Sequence, residues 1–229
     1  MNARVTLPEL ERDVVRVARA IHGRGWAAHY EGNITALTAD GRILATPGSM
    51  SLGDVRESDL LLLDRFGRKV SGSREAFNEL PMHLSVYPGR DDVGAVVHGH
   101  PPASTAFAVA GLAIEAQFLP EFVVSIGGIV PVVPFGLPGS EALNGAIRPF
   151  LERFDVVLLK NHGVLAWGPD PDAALLRMEH VEAAARILLE VRALGGATPL
   201  SPEVIQVLVD DRSRAGLGPS GRARARSRA

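Results

Sequence analysis

Two stretches in the first third of the chain decide which sheets it can build. GNITALTADGRILATPG (32–48) sets a β-patterned run on each side of Asp40-Gly41, and DLLLLDRFGRKV (59–70) repeats the arrangement around Phe66-Gly67. Glycine in the turn supplies the positive φ that a tight hairpin demands. Consecutive hairpins mean antiparallel neighbours, which argues against a regular doubly wound parallel sheet. Helical periods surround them. Residues 6–22 open with Thr6-x-x-Glu9, the spacing of a capping box, and carry Val14, Val17, Ala18 and Ile21 on one stripe. Further helices are predicted over 79–88, with Asn78 as N-cap and Pro81 in the first turn, and over 102–111, 140–153 and 171–194, the last ending at Gly195-Gly196. Strands are predicted in GAVVH (94–98), in GGIVPVVPFG (127–136) and on both sides of Asn161-His162-Gly163 in DVVLLKNHGVLAWG (155–168). Hairpins mixed with crossover helices predict an α/β domain whose largely antiparallel sheet is covered by helices.

Composition narrows the chemistry. With 229 residues, 46% of them hydrophobic, the chain can bury one good core, expected over residues 1–210. Cysteine is absent, so any transition metal must be held by histidine and carboxylate. The N-terminus lacks an apolar signal core, and the apolar stretches near 93–136 are broken by His98, His100, Glu115, Glu121 and prolines. A cytoplasmic protein with no membrane partner is expected. The net charge of −2 hides an asymmetry, because RSRAGLGPSGRARARSRA at the C-terminus is rich in arginine and has no acid. The body is correspondingly more acidic and is not expected to bind nucleic acid. Residues 211–229 are read as an Arg-rich disordered tail, open to weak nucleic-acid contact, since their composition cannot bury a core.

AVVHGHPP (95–102) places two histidines one residue apart at the end of an apolar strand. Alternate strand residues share a face, so His98 and His100 point the same way, at a spacing that suits a metal ion. His162, in a Gly-flanked loop between two apolar strands, could be a third ligand. Three neutral imidazoles leave an open coordination position, as a Lewis-acid catalyst needs. Glu79 and His83 share a helix face, and either could approach the ion. His22, His29 and His180 are assigned to structure or surface.

The runs EGNIT, TPGS, NELPMHLSVYPGRDDVGAVVHGHPPASTAFAVAG, GG (127–128) and LLKNHGVLAWG together closely resemble the class II aldolase/adducin family, over about residues 8–210. That resemblance implies a three-layer α/β/α fold with a central, mostly antiparallel sheet. It also implies a homotetramer with sites near subunit contacts, and one divalent ion per chain, zinc or else manganese. His98, His100 and His162 match the family's metal histidines, and Glu79 its catalytic carboxylate. Gly32, Asn33, Thr46, Gly48, Ser49 and Asn78 fall where substrate binds, the turns GNIT and TPGS offering N–H groups to a substrate anion. The expected reaction is aldol cleavage of a small hydroxy-carbonyl substrate through a metal-stabilised enediolate, with Glu79 carrying the proton.

The departures bear on substrate. Sugar-phosphate members have two serines before the glutamate, where this chain has Phe77-Asn78, and a Thr/Ser-Gly pair where it has Gly48-Ser49. Glu121 takes the place of one family tyrosine and DRSRAG lacks the other; the chain's two tyrosines are Tyr30 and Tyr87. A metal-dependent decarboxylase of hydroxy acids or hydroxylated aromatic acids is therefore the alternative. A non-catalytic binding module is a third reading, opposed by the retained histidines and glutamate.

Overall fold

Asn33–Leu37 (β1), Ile43–Ala45 (β2), Leu61–Leu63 (β3) and Lys69–Ser71 (β4) form an antiparallel meander in the computed structural model, which describes residues 5–226. Both expected hairpins are present. Ala95–Gly99 (β5) lies beside β1, with Asn33 opposite His98. After Ile114–Glu115 (β6), Ile129–Val130 (β7), Val132–Val133 (β8) and Val156–Leu159 (β9), Gly163–Gly168 (β10) inserts between β5 and β9. The eight-stranded order is β4-β3-β2-β1-β5-β10-β9-β8, antiparallel except for the β8–β9 pair.

The helices are Leu7–Gly23 (α1), Leu80–Leu84 (α2), Pro102–Ala110 (α3), Pro120–Ser125 (α4), Glu141–Ile147 (α5), Pro171–Ala193 (α6), Pro202–Arg214 (α7) and Gly218–Arg226 (α8). Successive strand residues point to opposite faces. Val97 and Ala166 accordingly pack with Val14 and Val17 of α1, Phe107 of α3 and Met178 of α6. Val96, Leu165 and Trp167 pack with Met82 of α2 and Leu143 and Ile147 of α5. Helices cover both faces, giving the three expected layers. Each fully buried valine or leucine contributes about 1.5–3 kcal/mol, which explains why the central strands read as continuous apolar runs. No helix among the described residues is long and apolar enough to cross a membrane.

Several elements differ from the sequence reading. The expected strand in 127–136 is two short strands in different sheets: Pro131 has no N–H to donate, so β7 pairs with β6 and β8 with β9. The expected helix 140–153 stops at Ile147 and passes into a 3-10 turn, Arg148–Phe150, at Pro149. Helix 79–88 is shortened to Leu80–Leu84, and its N-cap is Glu79, not Asn78. Pairing of Pro47 with Ala76, and the Gly48 N–H donated to the Glu75 carbonyl at 2.9 Å, hold the chain extended until just before the turn. Residues 211–226, expected to be disordered, form the end of α7 and all of α8 with a turn at 215–217 between them, and Arg212 and Arg222 reach the buried carboxylate of Asp155 at 3.2 and 3.3 Å. The rest of that expected tail, 227–229, lies outside the described residues.

Candidate metal centre

His98 and His100 leave the end of β5 on the side where the β9–β10 loop carries His162, since β5 and β10 are antiparallel neighbours. The three residues each present a ring nitrogen within 4.8 Å of the others. The loop is tied down by the Asn161 N–H on the Ala108 carbonyl at 3.2 Å, and Asn161 takes the left-handed φ of 56° that this residue type tolerates. Gly163 has to be glycine: a Cβ there would lie 2.4 Å from His100 Cδ2 and 2.7 Å from the Gly99 carbonyl oxygen.

Hydrogen bonds select the nitrogens. His98 Nδ1–H donates to the Val164 carbonyl at 2.9 Å, and His100 Nδ1 lies 3.1 Å from Glu31 Oε2. With each Nδ1 turned to an oxygen, the two Nε2 atoms face each other at 3.1 Å, placed to offer both lone pairs to one cation. Glu79 lies between strand and loop, Oε1 3.1 Å from His162 Nε2 and Oε2 3.5 Å from His98 Nε2, with Asn33 Nδ2 donating to Oε2 at 3.0 Å. Oε1 is buried without a hydrogen-bond donor. Facing lone pairs beside an unsatisfied carboxylate oxygen are costly unless a cation lies among them. The donor set therefore fits a divalent ion, which His98, His100 and His162 would hold with Glu79 in reach.

The electrostatics agree. Burial pushes His98 down to about 4, with Glu79 pulling the other way, and lowers His162 below its ordinary value. Both are neutral, as ligands must be. Burial pushes Glu79 up, but His98, His162 and the Asn33 amide outweigh it and hold the carboxyl below its usual range.

The other expected site residues divide. Gly32 turns with φ 73°, and a Cβ on it would meet Ala27, Leu52 and the His98 carbonyl at 3.1–3.2 Å. Gly48 packs against the backbone of Ala76 and Phe77, just before Glu79. Ser49 and Asn78 are exposed. Thr46 is buried, its hydroxyl accepting the Ile34 N–H at 3.1 Å. His83 is fully buried behind the centre, Nδ1 3.1 Å from Thr35 Oγ1, and burial pushes it down to about 3. Tyr87 is occupied by the same threonine at 2.7 Å, whereas Tyr30 is exposed and stacks on His29. His180 meets Ser125 Oγ at 2.6 Å and His22 packs against Gly53, both in structural surroundings. Sequence reading overlooked Glu31, whose partner His100 lies far along the chain and is brought to it only by the fold.

Residues 12–189 match the family described as Class II Aldolase and Adducin N-terminal domain. The chain belongs to that family. Among curated class II aldolase relatives, a 3-oxo-tetronate 4-phosphate decarboxylase of Pectobacterium atrosepticum is 32% identical over 77% of this chain and 82% of its own length. A 3,4-dihydroxyphthalate decarboxylase of a Terrabacter species is 32% identical over 92% of this chain and 90% of its own. A methylthioribulose-1-phosphate dehydratase of Methylococcus capsulatus is 32% identical over 74% and 88%. Among solved structures, an L-fuculose 1-phosphate aldolase superposes with a TM-score of 0.82 over 92% of this chain and 98% of that one; its identity of 23% speaks for the fold alone. YgbL of Klebsiella pneumoniae follows at TM-score 0.80 and 29% identity, over 89% and 99%. The family thus joins lyases that release carbon dioxide, water or an aldehyde.

Proposed function

We propose that this chain is a metal-dependent decarboxylase of a hydroxylated, non-phosphorylated acid, with a hydroxylated aromatic acid as the substrate class. One observation carries the reading: among the described residues Glu79 is the acid that faces the ligand nitrogens of the three histidines, and no tyrosine hydroxyl is bonded to it, Tyr87 being engaged by Thr35 and Tyr30 lying exposed against His29. Glu31 lies on the outer nitrogen of His100. Cleavage to an aldehyde needs a group to take the proton from the departing carbinol and another to protonate the remaining carbon. A carboxylate departs as carbon dioxide without a proton, so one carrier is enough.

The bound ion would supply Lewis-acid stabilisation of negative charge on substrate oxygens. Glu79, ionised at rest, takes the proton of the substrate hydroxyl as that oxygen becomes anionic. The carbon–carbon bond to the carboxylate breaks, its electron pair stays on the ring carbon, and Glu79 returns the proton to that carbon. Solvent restores the hydroxyl proton. Asn33 holds the Glu79 carboxylate in place throughout.

Substrate class rests on two points. Phe77 packs in the apolar cluster around Leu80 and offers no donor, so a phosphate dianion would lack the hydroxyls that offset its desolvation. The dihydroxyphthalate decarboxylase is similar over nearly the whole chain, whereas the Pectobacterium phosphate-sugar decarboxylase matches 77% of it. Zinc is the ion of this reading, with manganese second, since three imidazoles suit it. A homotetramer in the cytoplasm, each site near a subunit contact, completes it.

The test pairs vicinally dihydroxylated benzoates and phthalates with phosphorylated sugar acids and ketose phosphates, following carbon dioxide and aldehyde together. Carbon dioxide from the aromatic acids, with higher kcat/KM than for any phosphorylated compound, is expected. Aldehyde from a ketose phosphate would replace this reading with an aldolase.

A further inference from the structure

The three histidines are oriented in three different ways. His98 gives its outer N–H to a backbone carbonyl, which no substitution removes. His162 Nδ1 is buried with no hydrogen-bond partner. His100 alone has a side chain behind it, the carboxylate of Glu31 at 3.1 Å.

That carboxylate is held in a built turn. Glu31 Oε2 also accepts the Ala28 N–H at 3.2 Å, and the Glu31 N–H returns to the Ala28 carbonyl at 2.9 Å. The turn is bounded by left-handed His29 and Gly32, and Gly32 is seated too close to the His98 carbonyl to bear a Cβ freely. The same segment holds the backbone of its target, because the His100 N–H donates to the Trp26 carbonyl at 2.7 Å. Residues 26–32 therefore fix both the main chain and the ring of one ligand.

We infer that Glu31 is a positioning residue that locks His100 as an Nε2 ligand and tightens the hold of the three histidines on a divalent cation. It rests on the metal-centre reading above. A carboxylate behind a ligating imidazole sets the tautomer, stops rotation of the ring and makes the inner nitrogen a better donor, and losing such a partner typically costs 10- to 100-fold in metal affinity. Nearly half of the Glu31 side chain is exposed, so its removal leaves no cavity.

The experiment strips wild type, Glu31→Gln, Glu31→Ala and His98→Ala of metal and measures Zn2+ affinity by competition with a chromogenic chelator. Visible absorption of the Co2+ forms reads ligand geometry, and melting of the metal-free proteins reads the fold. Glu31→Ala is expected to bind Zn2+ about 10- to 100-fold more weakly, with an altered Co2+ spectrum and unchanged metal-free melting. Glu31→Gln, which keeps an acceptor and loses the charge, falls between it and wild type. Wild-type affinity in Glu31→Ala, or an affinity loss matched by a loss of metal-free stability, overturns the inference. If His98→Ala loses Zn2+ while Glu31→Ala keeps it, Glu31 alone is wrong; if wild type takes up none, the metal centre fails first.

Discussion

Asp155, buried, and Glu79, half-buried, are acids at opposite ends of one sheet, and they keep opposite company. Asp155 precedes β9, where Arg90 lies 2.7 Å away, Arg212 3.2 Å, Arg222 3.3 Å and Arg177 3.7 Å. Burial pushes Asp155 up, but Arg177, Arg90 and Arg222 hold it well below the usual carboxylate range. Both of its oxygens are bonded, and the arginines spend their other N–H groups on the carbonyls of Leu151, Phe154, Trp167, Val124 and Glu152. Glu79 is more exposed, 15% of its side chain against 1% for Asp155, yet its buried Oε1 has no donor. A fully bonded buried charge fastens structure, whereas a carboxylate oxygen without a donor, beside three imidazoles, suits a cation. The arginine end joins α6, α7 and α8 to the body, and the histidine end gathers the donors of the candidate metal centre.

The comparison breaks first at the histidine end. Wild type should carry about one divalent ion per chain, and His98→Ala or His162→Ala should lose most of it, with activity falling to background, while circular dichroism shows the fold intact. Full metal retention in both variants, by elemental analysis, would contradict the ligand set. Glu79→Gln should keep its metal and lose about two to four orders of magnitude in kcat, as expected for a positioned proton carrier. Wild-type turnover there would reduce Glu79 to a helix cap, the position it does occupy before Leu80.

At the other end the effect is on stability. Asp155→Ala leaves the buried Arg212 without a carboxylate in contact, whereas Arg90 keeps Asp92 at 2.7 Å, and should cost about 3–5 kcal/mol in chemical denaturation, the scale for breaking a buried ion pair from one side. Removing Arg222 alone, which leaves Asp155 with three partners, should cost less. Equal stability of Asp155→Ala and wild type would mean that α7 and α8 are held by something other than this cluster.

What the sequence made legible follows the range of the interactions. Asp40-Gly41 and the His98-x-His100 pair are local patterns, governed by turn geometry and strand alternation, and both are found where expected. Pro131 carried its signal too, since a residue without an N–H divides a strand, but a run of valines on both sides concealed it. Glu31 and Asp155 had no local signal: their partners are far along the chain, and only the sheet order brings them together. The tail was misjudged for a related reason. Composition counts apolar burial, and residues 211–226 have little, whereas a single buried acid 57 residues upstream of Arg212 supplies what holds them.

The two ends also separate by pH. In the metal-free protein, His98 and His83 are buried neutral, with values of about 4 and 3, whereas unfolded histidine titrates near about 6.5. The unfolded chain therefore binds more protons between these limits, so their contribution to stability is complete above about pH 6.5 and is lost progressively as the pH falls toward 4 and below. Asp155 is also depressed, but from an unfolded value near about 3.9, so its contribution is complete above that pH and is lost only below it. The unfolding free energy of the metal-free protein should fall first between about pH 6.5 and 4, on the order of several kcal/mol for the two histidines together, and again below about 4. His83→Gln should flatten the first limb and Asp155→Asn the second. Bound metal should steepen the first limb and carry it to lower pH, because the ion keeps its ligand histidines unprotonated in the folded state alone. A single limb, unchanged by either substitution, would mean that the two ends do not titrate apart.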